Sequence, residues 1–379
     1  MNDAHVLAYY ADDPTRSYQL IQWLEALEVL HAHHNVAIVV RDAEVAGIVR
    51  RRTSLPVHLV VGFPELTELY AALDAKVVLY CNNSPLNFQS LVDGRKLHVH
   101  INHGESDKQS MASNNSKAYD RVFVAGEAAV RRYLDGLLDF DASRLVRIGR
   151  PQLDLRPDRI IAPSPRRTVL YAPTWEGDAE YNDYTSVDTI GPEVVRRILA
   201  IEDVRVVYKP HPKVSTSLTP AIRAGHAEIL DLVAAAAARE PDAGHTSVVT
   251  GDILAVMPDC DAMVTDVSSV GLDWLYLCTD KPIVITDRHR DGDRFRDEVP
   301  VRRCADVIDE STVSGLTELL STRLRHDELH LDRLAMRHYY FGGVQVGDST
   351  TRFLDAVGDL VRLRDRLVSA KLHGDAITA

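Results

Sequence analysis

Short apolar runs bounded by turn residues punctuate the chain: His5–Ala11, Val36–Val40, Val57–Gly62, Val77–Cys81, Leu97–Ile101 and Val122–Ala125. Most are too short for helices, and several are nearly unbroken Val, Ile, Leu and Tyr, the pattern of strands covered on both faces in a parallel sheet. Between them lie helical patterns such as Thr15–Leu30, where Tyr18, Ile21, Trp23, Leu24 and Leu27 gather mostly on one side. Strand, helix, strand, helix in this order predicts a doubly wound α/β domain over residues 1–155. The rhythm pauses over 156–168, where RPDRIIAPSPRRT holds three prolines and four arginines and reads as a linker. Strands resume at Val169–Ala172, Val204–Tyr208, Met263–Thr265 and Ile283–Thr286, with helical stretches near Pro192–Ile201, Ala221–Arg239 and Asp252–Met257. A second α/β domain over 169–345 follows. The segment 346–379 carries Phe353, Leu354, Val357, Leu360, Val361, Leu363 and Leu367, an amphipathic helix suited to packing back across the domains.

Composition narrows the class. A chain of 379 residues with 45% apolar content is globular, and it exceeds the roughly 250–300 residues at which single cores stop growing. A net charge of −12 excludes a chain-wide electrostatic grip on a nucleic-acid backbone. Cys81, Cys260, Cys278 and Cys304 are scattered without metal-ligand spacing, so reduced thiols, a cytoplasmic setting and no metal centre are expected. The first residues lack a signal-peptide pattern, and no run approaches the length needed to cross a bilayer. Membrane contact, where it occurs, is expected to be peripheral, through a local patch such as Arg50-Arg51-Arg52, which serves equally well as a solvated loop.

In open α/β sheets, ligands gather beyond the carboxyl ends of the strands, and four strand ends carry chemistry. In KLHVHINHGESDK, the strand Leu97–Ile101 runs into Asn102, His103 and Gly104, with Lys108 beyond. A His beside a Gly can approach a substrate closely, and an imidazole titrating near neutrality suits general-base work. His98 and His100 lie on one face of that strand and read as packing histidines. In VRVVYKPHPKV, two prolines stiffen a loop holding Lys209, His211 and Lys213 at alternating positions, a preorganised site for an anion such as phosphate. In MVTDVSSVGLDWLYL, Thr265 and Asp266 close a strand and Ser268-Ser269 open a helix. Their hydroxyls add donors to the free N–H groups there, although one serine serves equally well as an N-cap. Asp266 and Asp273 are the carboxylates placed to meet ribose hydroxyls or orient a cation. In VLYAPTWEGD, Thr174 can donate to a phosphate, and Trp175 either stacks or fills the core. Arg150, in RIGRP at the end of the first domain, either reaches the cleft or forms a surface ion pair. No Walker loop, G-x-S-x-G elbow or H-E-x-x-H occurs, which removes the main supports of kinase, simple hydrolase and zinc-protease readings.

Taken in order, His103-Gly104 with Lys108, Leu170–Trp175, Lys209-Pro210-His211-Pro212 and Thr265–Ser269 resemble the CDP-glycerol glycerophosphotransferase family, the teichoic acid polymerases and primases. The resemblance implies a GT-B-like fold of two facing Rossmann-like domains with an interdomain cleft. It also implies transfer of glycerol phosphate, or a related polyol phosphate, from a CDP-activated donor to a cell-surface polymer or its lipid-linked primer, with release of CMP. Within it His103 matches the family's base and His211 its phosphate-binding histidine, with Lys209, Ser268, Ser269 and Thr174 around the donor phosphates. Gly104, Asp266, Asp273 and Arg150 remain for the cleft and ribose. The expected setting is the inner face of the cell membrane. No obligatory cofactor is implied, although a divalent cation is compatible with the chemistry. Glu105-Ser106 stands where the family often has Thr-Pro, Asn102 where an aromatic is common, and Val267 where Tyr is frequent. These departures bear on the acceptor more than on the reaction. The alternatives are an NDP-sugar glycosyltransferase or epimerase on the same scaffold, and a non-catalytic nucleotide- or polymer-binding protein.

Overall fold

The unbroken apolar runs build two separate, wholly parallel sheets. The computed structural model describes residues 4–107, 111–155, 157–177, 180–290 and 299–373; Lys108 and Asp178 lie outside the described residues. The first sheet consists of β1 (Val6–Tyr10), β2 (Val36–Val40), β3 (Val57–Leu59), β4 (Val77–Tyr80), β5 (Leu97–His100), β6 (Arg121–Val124) and β7 (Leu145–Arg147), in the order 3-2-1-4-5-6-7. The second consists of β8 (Arg167–Ala172), β9 (Val204–Tyr208), β10 (Thr246–Ser247), β11 (Ala262–Thr265), β12 (Ile283–Thr286) and β13 (Asp306–Ile308), in the order 10-9-8-11-12-13. Every residue of β1, β2, β4 and β9 is buried, as strands covered on both faces require. Each sheet reverses its winding beside its first strand, between β1 and β4 and between β8 and β11. Those are the switch points where doubly wound sheets open a crevice.

The chain forms two compact units. One comprises residues 1–104, 112–155 and 340–379, and the other 105–111 and 156–339. The helix Asp348–His373 belongs to the first unit and completes its core: Phe353, Val357, Leu360 and Val361 pack with Trp23, Leu27 and Ile148. Two contacts fix where it starts. Asp154 accepts from the N–H groups of Gly347 and Thr350, both at 2.6 Å, and from the Thr350 hydroxyl at 3.0 Å. Gly149, at φ +75, lets the chain pass so close that a Cβ there would fall 2.2 Å from Ser349 Oγ.

Several elements differ from the sequence expectation. The stretch Thr15–Leu30 is divided into a 3-10 turn Pro14–Arg16 and helices Tyr18–Ile21 and Leu24–His31. The tightening falls at Trp23, whose N–H bonds the Leu20 carbonyl, one residue short of the α pattern, while its indole N–H reaches the Asn102 carbonyl at 2.5 Å. The stretch Asp252–Met257 forms 3-10 turns Ile253–Ala255 and Met257–Asp259, because Pro258 has no N–H to carry a helix forward. β8 begins inside the segment expected to be linker, and the second unit ends at 339 rather than 345. Arg50-Arg51-Arg52 closes the helix Ala43–Arg50 and is exposed, with Arg50 and Arg52 donating to the carbonyls of Val57 and Ile48. Among the described residues no helix is long and apolar enough to cross a membrane.

Candidate functional site

In the second unit, backbone and carboxylate bonds stitch three loops together at the carboxyl ends of β8, β9 and β11. The Lys209 N–H donates to the Tyr171 carbonyl and the His211 N–H to that of Pro173, both at 2.9 Å, so the Lys-Pro-His loop is held against Ala172-Pro173-Thr174. Thr265 Oγ1 donates to the Ala172 carbonyl at 2.7 Å, tying β11 to the same place. Asp266 completes the junction. Its carboxylate accepts from the Thr174 N–H at 2.7 Å, the Ser186 N–H at 3.2 Å and the Thr286 hydroxyl at 2.6 Å. Burial pushes its carboxyl up to about 6 despite those donors. The expectation that Asp266 meets a ribose or a cation is therefore corrected: the side chain is 0% exposed and committed to holding the loops. Asp273 is likewise buried, on the helix Ser269–Leu277.

The groups left at this junction favour an anion. Ser268 occupies the cap position of the helix Ser269–Leu277, yet its hydroxyl makes no capping bond, and its Oγ is buried without a hydrogen-bond partner. The hydroxyl thus stands beside free helix N–H groups and the positive end of the helix dipole. Ser269 is the first helical residue and is half-buried. Lys209 is 4% exposed, its ammonium donating to the Pro210 carbonyl at 3.3 Å, and burial holds its pKa below the usual lysine value. With a carbonyl as its hydrogen-bond partner and the Asp252 carboxylate as a weaker electrostatic neighbour, this buried ammonium is suited to a negatively charged guest. His211 Nδ1 accepts from the Lys213 N–H at 3.2 Å, which leaves the ring's proton on Nε2 as a donor. Trp175 stacks on His211 with ring centroids 6.0 Å apart, and Lys213 Nζ lies 3.8 Å from the Trp175 ring centre. Lys213 is therefore turned onto the aromatic face, and Trp175 orders the loop instead of only filling the core. Thr174 is buried, its N–H given to Asp266 and its carbonyl taken by Thr185.

Sequence reasoning missed the supports. Ser186 and Thr286 hold Asp266, and Ser217 donates to Glu176 beside the loop, yet none belongs to a recognisable pattern.

In the first unit, β5 ends at His100, and Asn102 takes a left-handed φ of 52 that Asn tolerates better than most residues. Its carbonyl is held by Trp23, and its Oδ1 accepts the His103 N–H at 2.8 Å. The His103 ring is braced by Tyr18, edge-on at 6.1 Å, and adjoins the Cys81 carbonyl, which favours a proton on the ring. Nδ1 is buried without a partner. Burial, assisted by the Arg150 guanidinium, lowers the imidazole to about 4, and the ring is neutral at physiological pH. Arg150 is itself 7% exposed, with Nε toward Gln152 at 3.4 Å, so the alternative of a surface ion pair is overturned. Gly104 is half-buried and ends this segment of the unit. His98 bridges the Tyr80 hydroxyl and the Asp93 carbonyl, a packing role. Among the described residues no cluster of His, Cys, Asp and Glu has the makings of a metal site.

Comparison with known proteins follows the same lines. The family described as CDP-Glycerol:Poly(glycerophosphate) glycerophosphotransferase matches residues 95–297, more than half of the chain. Among solved structures, the wall teichoic acid polymerase TagF aligns at 13% identity and TM-score 0.59, over 95% of this chain and 90% of that one. A putative UDP-N-acetylglucosamine 2-epimerase from Listeria monocytogenes aligns at 15% identity and TM-score 0.62, over 93% and 95%. A glycosyltransferase from Rickettsia africae aligns at 11% identity and TM-score 0.57, over 95% and 99%. At such identities these likenesses show the fold, a GT-B-like pairing of Rossmann-type sheets. No curated protein sequence matches.

Proposed function

Because the chain belongs to the CDP-Glycerol:Poly(glycerophosphate) glycerophosphotransferase family, we propose that it moves glycerol phosphate, or a related polyol phosphate, from a CDP-activated donor to a hydroxyl of a teichoic-acid-like or capsule-like polymer or its lipid-linked primer, releasing CMP. The observation that carries this reading is the anion-ready junction of the second unit: an uncommitted Ser268 hydroxyl at a helix N-terminus and the loop of Lys209 and His211, tied to one set of strand ends. A pyrophosphate is the guest such donors suit. Negative charge grows on phosphate oxygens as CMP departs, and donors fixed beforehand stabilise it most where it develops.

His103 is the proposed base. With its proton on Nε2, toward the adjoining Cys81 carbonyl, its buried and unpartnered Nδ1 carries the lone pair, the arrangement of an imidazole oriented by one nitrogen to work with the other. Nδ1 takes the acceptor's proton while that oxygen attacks the distal phosphorus of the donor, and the bond to CMP breaks. The protein would act at the cytoplasmic face of the membrane, where nucleotide-activated donor and lipid-linked acceptor meet.

Incubation with CDP-glycerol and candidate acceptors, with and without EDTA, while CMP is followed, tests donor, reaction, acceptor and ion dependence together. A parallel thermal-shift series with CDP-glycerol, CDP-ribitol, CMP and UDP-sugars tests the nucleotide. Stabilisation by UDP-sugars alone would turn the reading toward a glycosyltransferase or epimerase.

A further inference from the structure

Four buried side-chain atoms on and just beyond β4 and β5 in the first unit lack a hydrogen-bond partner: Asn83 Oδ1, Asn87 Oδ1, His100 Nδ1 and His103 Nδ1. All four are acceptors. For the amide oxygens this is intrinsic, and Asn87 Nδ2 fixes its own orientation by donating to the Asn82 carbonyl at 2.8 Å and the Tyr119 hydroxyl at 3.0 Å. For the imidazoles it follows from placing the ring proton on the other nitrogen, toward the backbone carbonyl that each ring adjoins: Tyr80 for His100, Cys81 for His103. Those carbonyls are consecutive, and the sheet register pairs Tyr80 with His100. The His100 ring stacks on Tyr119 at 5.3 Å, the same side chain that Asn87 bonds. Adjacent loops of one switch-point region thus present acceptors with no donors to meet them, an arrangement that folded proteins rarely concentrate in one place.

The chemistry of a guest follows. It must bring several O–H donors, and it must not set a negative charge against lone pairs. Asn83 and His103 are half-buried, whereas His100 and Asn87 are 1% and 0% exposed, so the approach is from the Asn83 and His103 side. We infer that Asn83 and His103, with His100 behind them, bind the neutral hydroxyl-bearing end of the acceptor, a terminal polyol, and present one of its hydroxyls to His103. This rests on the proposed transferase reading and adds Asn83 and His100 as acceptor-positioning residues.

The test uses the full-length protein and a chemically defined glycerol phosphate oligomer. Asn83→Leu, at a half-buried position, removes the amide without emptying a core. His100→Phe keeps the ring against Tyr119 and removes the acceptor nitrogen. Each is expected to raise KM for the oligomer by about three- to ten-fold, the share of one hydrogen bond, with kcat and KM for CDP-glycerol within two-fold of wild type. Direct titration of the oligomer, read by calorimetry without any nucleotide, should show the same loss. Acceptor KM unchanged in Asn83→Leu, or donor and acceptor KM raised equally, overturns the inference and leaves a cluster satisfied by water. Failure of the oligomer to bind wild type also overturns it. If the oligomer binds and Asn83→Leu abolishes binding while CDP-glycerol yields no CMP, the site stands and the donor assignment falls.

Discussion

Asp266 offers the sharpest test, because its geometry and its titration point to an unusual outcome. Replace it with Asn. The amide oxygen can take the place of the carboxylate oxygen that accepts from Thr174 and Ser186. The amide nitrogen can then donate to the Thr286 hydroxyl, which accepts as readily as it donates. Every partner is kept and only the charge is lost. Burial has raised the carboxyl from 3.8 to about 6, so the folded protein holds this proton more tightly than the unfolded chain does. The stability Asp266 contributes through that proton is therefore fully present below its unfolded pKa and is lost as pH rises through about 6. At roughly 1.4 kcal/mol per unit, the ionised side chain costs about 3 kcal/mol at pH 8 relative to its protonated form. Asp266→Asn should consequently match or exceed wild type in urea-melt stability at pH 8, and that advantage should shrink by about 2 kcal/mol on going to pH 4. Asp266→Ala, which strands two buried N–H groups, should instead fall below Asp266→Asn by on the order of 2–4 kcal/mol at every pH. If Asn proves as damaging as Ala at pH 8, the charge itself is in use, and the argument that Asp266 is only a tie between loops is refuted.

Other outcomes follow from the same geometry. His103→Ala should lower kcat by about 10²–10⁴-fold with CDP binding intact, the effect of a lost general base. His211→Ala should weaken CDP-glycerol binding as well as the rate, and equal large affinity losses in both variants, measured by calorimetry, would show the roles to be misassigned. Ser268→Ala should reduce CDP affinity yet shift stability by less than about 0.5 kcal/mol, unlike a true capping serine at about 1 kcal/mol, because its hydroxyl caps nothing. Asp154→Ala should cost roughly 1–2 kcal/mol in thermal or urea melts by uncapping the helix Asp348–His373, without altering CDP affinity.

Much of the architecture was legible because buried parallel strands write themselves as unbroken apolar runs. β1, β2, β4 and β9 are such runs. β7, β10 and β13 escaped because two or three residues carry no period, and they lie at the edges of their sheets. In the site, the loops around His103, His211 and Ser268 could be found because each couples a strand end to a Gly, Pro or helix start. The burial of Arg150 could not be, since guanidinium groups are ordinarily exposed and nothing local to Arg147–Pro151 signals otherwise. Nor could the true office of Asp266: Ser186 and Thr286, which define it, stand 80 and 20 residues away along the chain. The unmet acceptors at Asn83, Asn87 and His100 likewise emerge only when β4 and β5 lie side by side.

The placement of Phe353 and Val357 in the first unit's interior bears on how the protein is made. During synthesis, residues 156–339 emerge and can collapse while the earlier sheet still waits for its last covering helix. Trp23 meets Phe353, at a ring separation of 5.3 Å, only after residues 156–339 have been made. The usual sequence, in which the amino-terminal portion matures first on the ribosome, is thereby inverted. Nascent chains stalled before Asp348 would leave an oily flank open to chaperones.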